Sequence, residues 1–326
     1  MNKSRQLLLN GKIYDCRAEE TVLDALLRQH VDMPYSCRNQ VCMSCIMRCL
    51  NGSPPPASQV NMKQTLRMQN NFLACGCYPE CDLEIALPKE SVVHQVSAEV
   101  VELNRLNSTV LELVVQCSVP LDYHAGQAVL LMNADLLGKR LPIASPTSAK
   151  GSGRYEVHVE RIQGGFFSEW VHGQLRIGDK MTLCGVDGEL FYVPGQGWKP
   201  MFLAGWNGGL GALMGILQDA LENNHAGPLY LFHGVTRSAY LYFVDEINEI
   251  GRYYPNFRYI PCVEQDSAPN GCFTGTVCSA AKARLPGLAN WTVYLCGPRE
   301  RVQQMQRQAY LMGATLKDIY REITEI

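Results

Sequence analysis

The sequence predicts a multidomain fold that joins an α+β section, a small antiparallel β-barrel and a doubly wound α/β section. The chain has 326 residues, more than a typical single domain contains. Eight of its 14 cysteines lie before residue 82. After residue 199 the hydrophobic pattern changes from short strands to alternating strands and helices. We therefore expect domains at residues 1–92, 93–198 and 199–326.

Composition excludes several classes of protein. Hydrophobic residues make up 47% of the chain and charged residues 18%, which is typical of a globular protein and not of a disordered or fibrous one. The balance of 29 basic against 31 acidic residues does not favour binding to nucleic acid or to a membrane surface. No apolar run is long enough to span a bilayer, and three leucines near the start are too few for a signal peptide. We expect a cytoplasmic protein.

The first section opens with a predicted β-hairpin. A strand at Gln6–Leu9 is followed by the turn residues Asn10 and Gly11 and by a return strand at Lys12–Tyr14. Apolar spacing then predicts a helix at Thr21–Gln29.

The second section is rich in short strands separated by Gly, Pro and Asp, a pattern typical of a small antiparallel barrel. The predicted strands are Ala98–Leu103, Val110–Val115, Ala128–Met132, Tyr155–Val159 and Met181–Cys184.

The third section alternates strands with helices, which favours a doubly wound parallel sheet. The predicted strands are Met201–Ala204, Leu229–Phe232, Phe257–Cys262 and Thr292–Cys296, and the predicted helices are Ala212–Glu222, Tyr240–Ile250 and Arg299–Met312. Ligands of such sheets bind at the carboxyl ends of the strands. This rule points to Gly205–Gly211, Gly234–Arg237 and Cys296–Pro298.

Four cysteines have the spacing of an iron–sulfur site. Cys37, Cys42 and Cys45 follow the pattern Cys-x4-Cys-x2-Cys, and Cys75 lies downstream. This is the plant-type pattern for a [2Fe–2S] cluster, in which one loop supplies three thiolates and a separate segment supplies the fourth.

Other metal sites fit this pattern less well. Zinc could use Cys42, Cys45, Cys75 and either Cys77 or Cys81, but the step from Cys37 to Cys42 is not a zinc-knuckle spacing. A Rieske centre needs two histidine ligands, and the nearest histidine, His30, precedes the loop. Cys49, Cys77 and Cys81 are interpreted as bystanders.

Together these features resemble the reductase components of bacterial multicomponent oxygenases. That family joins a plant-type ferredoxin domain of the β-grasp fold to a flavin-binding barrel and a nicotinamide-binding domain. The ferredoxin loop of this family usually has glycine two residues before the second cysteine, where this chain has Gln40. Glutamine adopts the left-handed backbone of such a glycine only at a cost, so we expect the loop to be either strained or differently curled.

The resemblance implies a flavin site in the second section. The family has an Arg-x-Tyr-Ser strand motif, and this chain has Lys139 to Ser145 at the matching place, without the tyrosine or the first serine. A later glycine-rich turn resembles the family's pyrophosphate cradle and favours FAD over FMN. The implied flavin-binding residues are Arg140, Leu141, Ser145, Gly164, Gly165 and Ser168, with Lys139 as an alternative to Arg140 for the phosphate.

The resemblance also implies an NAD(P)H site in the third section. The family has Gly-Thr-Gly-x-Ala-Pro after the first strand, and this chain keeps the glycines but lacks the threonine and the proline. Cys296 lies where the family places a thiol at the contact between nicotinamide and flavin, so it is the candidate catalytic residue. The implied nucleotide-binding residues are Gly208, Gly209, Arg237, Gly297 and Pro298.

These sites predict a relay from NAD(P)H through a bound flavin to the cluster and on to a partner oxygenase. A flavin is needed because nicotinamide gives up two electrons at once and the cluster accepts one at a time. Residues 1–92 carry 10 basic and 9 acidic side chains, so any steering of the protein partner would rely on local charge.

One alternative is a degenerate relative that keeps the cluster, has lost flavin or NAD(P)H binding, and acts as an electron-transfer or regulatory binding partner. A reductase for another acceptor, such as a deoxysugar dehydratase, and a zinc-stapled structural protein are further alternatives.

Overall fold

The computed structural model describes residues 4–87, 95–266 and 269–324. Its contacts divide the chain into two compact units, residues 1–93 and residues 94–326, here called the N-terminal and C-terminal units. The N-terminal unit contains one sheet and the C-terminal unit contains two. The predicted division of the C-terminal unit near residue 198 stays a prediction. Within the described residues, none of the helices is both long enough and apolar enough to cross a membrane.

The N-terminal unit is a five-stranded mixed sheet covered by one main helix, as expected of a β-grasp fold. The strand order is β2-β1-β5-β3-β4, and β1 and β5 run parallel. Leu7, Leu26, Met47 and Phe72 are among the buried residues between the sheet and α1. The elements are β1 (Arg5–Leu9), β2 (Lys12–Cys16), α1 (Val22–Arg28), β3 (Ile46–Asn51), α2 (Gln64–Met68), β4 (Asn71–Leu73) and β5 (Leu83–Ala86).

Helix α1 confirms the predicted helix, with Thr21 and Gln29 as its two caps. The Thr21 hydroxyl oxygen accepts a hydrogen bond from the backbone N–H of Asp24 at 3.1 Å, which satisfies a donor of the first turn. At the other end Arg28 forms an ion pair with Glu20 at 2.7 Å.

The first sheet of the C-terminal unit is the predicted antiparallel barrel. Its six strands have the order β10-β7-β6-β11-β8-β9, and a bridge between Ile143 and Val157 connects the residue after β9 to β10. The interior contains Val100, Leu113, Tyr155 and Leu183. The elements are β6 (Gln95–Arg105), β7 (Val110–Cys117), β8 (Ala128–Met132), β9 (Gly138–Pro142), β10 (Arg154–Glu160), α3 (Phe166–Gly173) and β11 (Lys180–Asp187).

The second sheet of the C-terminal unit is parallel and doubly wound, as predicted. Its order is β15-β14-β13-β12-β16-β17, so the direction of winding reverses between β12 and β16. One face packs against α4 and α5, and the other packs against α6 and α7. The elements are β12 (Met201–Trp206), α4 (Leu210–Glu222), β13 (Leu229–Val235), α5 (Val244–Tyr253), β14 (Phe257–Val263), β15 (Phe273–Thr274), α6 (Val277–Arg284), β16 (Thr292–Gly297), α7 (Arg299–Leu311) and β17 (Ile319–Ile323).

The predicted start of the fifth helix at Tyr240 is wrong. Phe243 adopts a left-handed conformation with φ of 56°, and α5 begins only at Val244. A bulky residue in that conformation cannot belong to a right-handed helix, so the preceding residues form a separate turn.

Candidate redox cofactor sites

The four predicted cluster cysteines form two pairs in the N-terminal unit. The Cys37 N–H lies 3.4 Å from the Cys42 sulfur, and the Cys42 N–H lies 3.3 Å from the Cys37 sulfur. Cys45 is paired with Cys75, whose backbone N–H donates to the Cys45 sulfur. The Ala74 N–H also donates to the Cys45 carbonyl oxygen at 3.0 Å, which holds the distant segment against the loop.

The surroundings of the two pairs differ. Cys37 and Cys42 are exposed, whereas Cys45 is buried. The Ser44 hydroxyl, together with backbone donors, lowers the pKa of Cys42 to about 6. Burial raises the pKa of Cys45 to about 11. One pair therefore lies at the surface of the unit, while the other is anchored in its core.

The loop curls through left-handed backbone at three non-glycine residues. Arg38, Gln40 and Met43 have φ values of 51°, 54° and 60°. Gln40 therefore has the left-handed backbone, which is the strained one of the two loop forms expected. The curl turns successive backbone N–H groups towards the sulfurs, and the Asn39 N–H donates to Cys37 at 3.3 Å. N–H donors around convergent thiols fit a [2Fe–2S] cluster, which is bound by thiolates that accept such bonds.

Gln40 also has an unusual side-chain position. Its amide packs against Gly76, where an added Cβ would lie 2.3 Å from the Gln40 Nε2. The Gln40 Oε1 is buried with no hydrogen-bond partner, while the backbone oxygen of Gln40 accepts from Asn61. Gly76 follows Cys75, so the contact between Gln40 and Gly76 joins the cysteine loop to the segment that contains Cys75.

The surplus cysteines lie apart from this loop in the structure. Cys49 is 2% exposed and Cys77 is fully buried in the core, while Cys81 is exposed. Burial raises the pKa of Cys77 to about 12, so it is a neutral thiol. The predicted ligand Cys45 is buried in the same core, so the interpretation of the surplus cysteines as bystanders remains a prediction.

The glycine turn before α3 is built as a phosphate cradle requires. Gly164 has a φ of 75° with open space around it, and α3 starts without a side-chain cap. The Ser168 hydroxyl accepts from the Ile162 N–H at 3.0 Å and donates to the Gly165 carbonyl, so its role is to close the turn. A Cβ on Gly165 would lie 2.9 Å from that hydroxyl. The uncapped helix start fits the anionic pyrophosphate of a flavin dinucleotide.

Arg140 points outward from β9 and contacts two carboxylates. Its guanidinium forms ion pairs with Asp187 and with Glu322 on β17. The Nε–H donates to Asp187 Oδ1 at 2.9 Å. Burial raises the pKa of Glu322, which is 8% exposed. Two carboxylates thus already neutralise the guanidinium, so a phosphate-binding role for Arg140 remains a prediction.

Leu141 and Ser145 lie beside Arg140 but have structural contacts of their own. Leu141 is 2% exposed and packs into the barrel interior, so its side chain lies on the face opposite to that of Arg140. The Ser145 hydroxyl accepts from the Glu156 N–H at 2.7 Å. A flavin-binding role for these two residues remains a prediction.

The glycine-rich turn after β12 is tightly packed. A Cβ on Gly209 would lie 2.3 Å from the Cys296 carbonyl oxygen, and one on Gly211 would lie 2.5 Å from the His158 ring. Gly208 lies against β10, where an added Cβ would be 3.5 Å from the His158 carbonyl oxygen. Glycine is required here because the start of α4 approaches β10 and β16 so closely.

The remaining nucleotide-site candidates lie at the carboxyl ends of two neighbouring strands. Arg237 is exposed just beyond β13. Gly297 ends β16 with a φ of 150°, and Pro298 caps α7. Cys296 is fully buried, and burial, followed by the charge of Glu322, raises the pKa of its thiol well above the ordinary value. At neutral pH Cys296 is therefore a protonated thiol.

Sequence reasoning missed several residues that shape these sites: Trp206, Tyr242, Asp187 and Glu322. The signal for Trp206 was available, since a bulky aromatic residue interrupts a run of glycines. The other three become neighbours of the site only through folding.

Two family models match this chain. The 2Fe-2S iron-sulfur cluster binding domain matches residues 7–80, and the oxidoreductase NAD-binding domain matches residues 208–308. The first match contains all four paired cysteines, and the second contains the glycine turn and Cys296.

The chain is similar over most of its length to reductases of oxygenase systems. It is 30% identical to the phenol 2-monooxygenase reductase component DmpP of Pseudomonas sp. (strain CF600), over 88% of this chain and 84% of that protein. It is 29% identical, with the same coverage, to the phenol hydroxylase P5 protein of Acinetobacter pittii (strain PHEA-2). The crystal structure of the Amycolatopsis cytochrome P450 reductase GcoB matches with a TM-score of 0.69 and 26% identity, over 98% of each chain.

The two family models imply a [2Fe–2S] cluster and a nicotinamide nucleotide as cofactors. The chain is an oxidoreductase, and it belongs to the family of reductase components of bacterial multicomponent oxygenases.

Proposed function

We propose that this reductase takes electrons from NAD(P)H and delivers them to the oxygenase component of a system that acts on an aromatic compound. The observation that carries the proposal is the similarity, over 88% of the chain, to a phenol hydroxylase protein and to the reductase component of a phenol 2-monooxygenase. A third relative, the aromatic O-demethylase reductase subunit of an Amycolatopsis species, is 29% identical over 90% of the chain. All three names describe components of systems that act on phenol or on another aromatic compound, and two of the names describe reductases.

In this proposal the N-terminal unit is the exit for electrons. Cys37, Cys42, Cys45 and Cys75 would hold the cluster. The exposed pair, Cys37 and Cys42, lies at the surface of the unit, where a protein acceptor could approach. Arg38, between them, is about half exposed and forms an ion pair with Asp24 at 3.2 Å. Both charged groups are therefore available to a docking partner.

The C-terminal unit is the entrance. The turn at Gly164 and Gly165 together with Arg140 would hold FAD, and the strand ends around Gly208, Arg237 and Gly297 would hold NAD(P)H. FAD supplies the conversion between two-electron and one-electron chemistry. The role of Cys296 is to present a neutral thiol where the two sites meet. Because this thiol is buried and keeps its proton, it excludes water from that junction without adding charge.

An anaerobic titration with NADH tests the electron relay. The visible spectrum of the purified protein should show iron–sulfur and flavin bands. Both should bleach partly after one equivalent of NADH, which supplies two of the three electrons that the flavin and the cluster accept, and fully with excess NADH. The Cys45→Ser variant is the matched comparison, because its flavin should still bleach while reduction of cytochrome c, a one-electron acceptor, is lost. Cluster bands without a flavin band would contradict the relay and favour the cluster-bearing binding partner.

Product formation tests the oxygenase partner. The reductase is combined with the oxygenase encoded beside it, NADH and an aromatic substrate, and hydroxylated or demethylated product is measured. Wild type should support turnover and Cys45→Ser should not. The dehydrase reductase of Yersinia pestis is 24% identical to this chain, so a neighbouring sugar dehydrase that accepts the electrons would instead contradict the proposed partner.

A further inference from the structure

Trp206 occupies the crevice at the carboxyl ends of three neighbouring strands. It is the last residue of β12 and is 4% exposed. Its register partner on β13 is Gly234, and Gly297 ends β16 on the other side. The indole therefore lies across the point where the winding of the sheet reverses, which is where this type of fold binds its ligand.

The glycines at this point make room for the indole. A Cβ on Gly234 would lie 2.5 Å from both Cδ1 and Nε1 of Trp206, and one on Gly297 would lie 3.0 Å from the Trp206 Cβ. Both distances are too short for a side chain at either glycine. The indole of Trp206 thus fills the space that the two glycines would otherwise leave open to a dinucleotide.

The surroundings leave the indole few ways to shift within the crevice. Trp206 packs with Val277 of α6 and Val302 of α7 in the core on that face of the sheet. On the opposite face, a Cβ on Gly205 would lie 3.0 Å from the Leu210 Cα. Because the backbone is held on both faces, a ligand that enters the crevice must displace the side chain and not the strand.

We propose that Trp206 gates the NAD(P)H site: the indole closes the dinucleotide crevice in the resting protein and swings out when the nucleotide binds. This inference rests on the proposed entry of electrons from NAD(P)H. Nucleotide binding then includes the cost of opening the gate, since the apparent dissociation constant equals the intrinsic one divided by the open fraction. If about one molecule in ten is open, removing the indole tightens binding about tenfold.

The first measurement is the dissociation constant of NAD⁺ for the full-length protein with its flavin and cluster. Binding should tighten from wild type to Trp206→Phe and further to Trp206→Ala, reaching about a tenfold change. Trp198→Phe is the matched control because Trp198 is 71% exposed, and its affinity should equal that of wild type. Unchanged or weaker binding in a folded Trp206→Ala protein with full flavin and iron content overturns the gate.

The second measurement follows the indole in proteins that keep it, so it does not depend on the folding of Trp206→Ala. Acrylamide quenching of tryptophan emission is measured with and without saturating NAD⁺ in wild type, Trp198→Phe and Trp206→Phe. Quenching should rise on binding in the first two proteins and stay constant in Trp206→Phe. An identical response in all three proteins overturns displacement of Trp206.

The failure of the gate can be distinguished from the failure of the proposed function. If wild type binds NAD⁺ as tightly as Trp206→Ala does, and NADH reduces both proteins equally fast, the gate alone is overturned. A wild type that NADH reduces slowly, with faster reduction of Trp206→Ala, supports the gate. If neither protein binds NAD⁺ or is reduced by NADH, the proposed entry of electrons fails, and the gate with it.

Discussion

The hydroxyl of Tyr242 bonds the imidazole of His158 to the backbone of Asn207. It donates to the Asn207 carbonyl oxygen at 2.8 Å and lies 3.0 Å from the His158 Nδ1. The other ring nitrogen, Nε2, lies 2.8 Å from Glu156 Oε1. Burial opposes ionisation of Glu156, but the bond from His158 outweighs it and lowers the pKa of that carboxyl. Strand β10 of the barrel is thereby connected to the turn that starts α4.

Removing this hydroxyl should loosen the turn. Tyr242→Phe leaves a buried ring nitrogen of His158 and the carbonyl oxygen of Asn207 without this partner, which we expect to cost roughly 1–3 kcal/mol of unfolding free energy. Urea denaturation of the variant and of wild type measures the difference. Tyr310→Phe is the control because Tyr310 is 57% exposed, and it should unfold with the wild-type midpoint. Equal midpoints for Tyr242→Phe and wild type would show that the connection does not stabilise the fold.

The cluster ligands can be separated from the surplus cysteines by iron content. Single substitutions Cys37→Ser, Cys42→Ser, Cys45→Ser and Cys75→Ser should each lose most of the iron and the visible iron–sulfur bands, because the cluster needs four thiolates. Cys81→Ser is the matched control, since Cys81 is exposed in the same unit, and it should keep full iron. Iron loss in Cys81→Ser together with retention in Cys37→Ser would reassign the ligands.

Gln40 and Gly76 should behave as a coupled pair. Gly76→Ala places a Cβ 2.2 Å from the Gln40 Cδ, so we expect loss of stability and of bound iron. Gln40→Gly removes that side chain and relieves a left-handed backbone, whose cost is about 1 kcal/mol.

The double variant Gln40→Gly/Gly76→Ala should therefore recover most of the iron and the thermal midpoint that Gly76→Ala loses. Thermal unfolding of the four proteins gives the coupling free energy directly. If the effects of the two substitutions simply add, the contact between Gln40 and Gly76 does not determine the stability of the loop.

Asp219 of α4 should make stability depend on pH. It is 5% exposed and accepts a hydrogen bond from the Thr147 N–H at 2.7 Å. Burial raises its pKa from 3.8 to about 6. A carboxyl with a raised folded-state pKa stabilises the fold fully below pH 3.8, and this stabilisation is lost as the pH rises through 6.

Wild type should therefore lose stability relative to Asp219→Asn as the pH rises from 4 to 7, by on the order of 3 kcal/mol. The asparagine keeps an oxygen for the Thr147 N–H but does not ionise. Denaturation midpoints of both proteins across this range measure the difference. Asp122→Asn, whose side chain is 93% exposed, should track wild type throughout. A constant gap between wild type and Asp219→Asn would mean that Asp219 keeps its ordinary pKa.

The cysteine loop could be predicted from the sequence because its geometry is local. The spacing of Cys37, Cys42 and Cys45 fixes which sulfurs can meet. The glutamine in place of glycine at position 40 left a strained and a differently curled loop open, and the structure shows the left-handed, strained form. The parallel sheet was predictable for a similar reason, since strand and helix periodicity alternate along the chain.

The charged and aromatic neighbours of the sites could not be predicted, because they are distant in sequence. Arg140 and Glu322 are 182 residues apart, and Tyr242 is 84 residues from His158. Strand β9 escaped prediction because Lys139 and Arg140 interrupt its apolar pattern. Only the folded barrel shows that Leu141 faces inward while Arg140 faces the last strand.

The packing of α4 on the barrel bears on how such reductases can be recombined. A Cβ on Gly215 would lie 2.3 Å from the Ala144 carbonyl oxygen, so the helix backbone touches the segment after β9 directly. If two reductases were recombined between the barrel and the parallel sheet, three pairs of contacting residues would come from different parents. These pairs are Gly215 and Ala144, Asp219 and Thr147, and Tyr242 and His158. The C-terminal unit is therefore inherited as one block, and a chimaera with a new ferredoxin should be joined between residues 87 and 95.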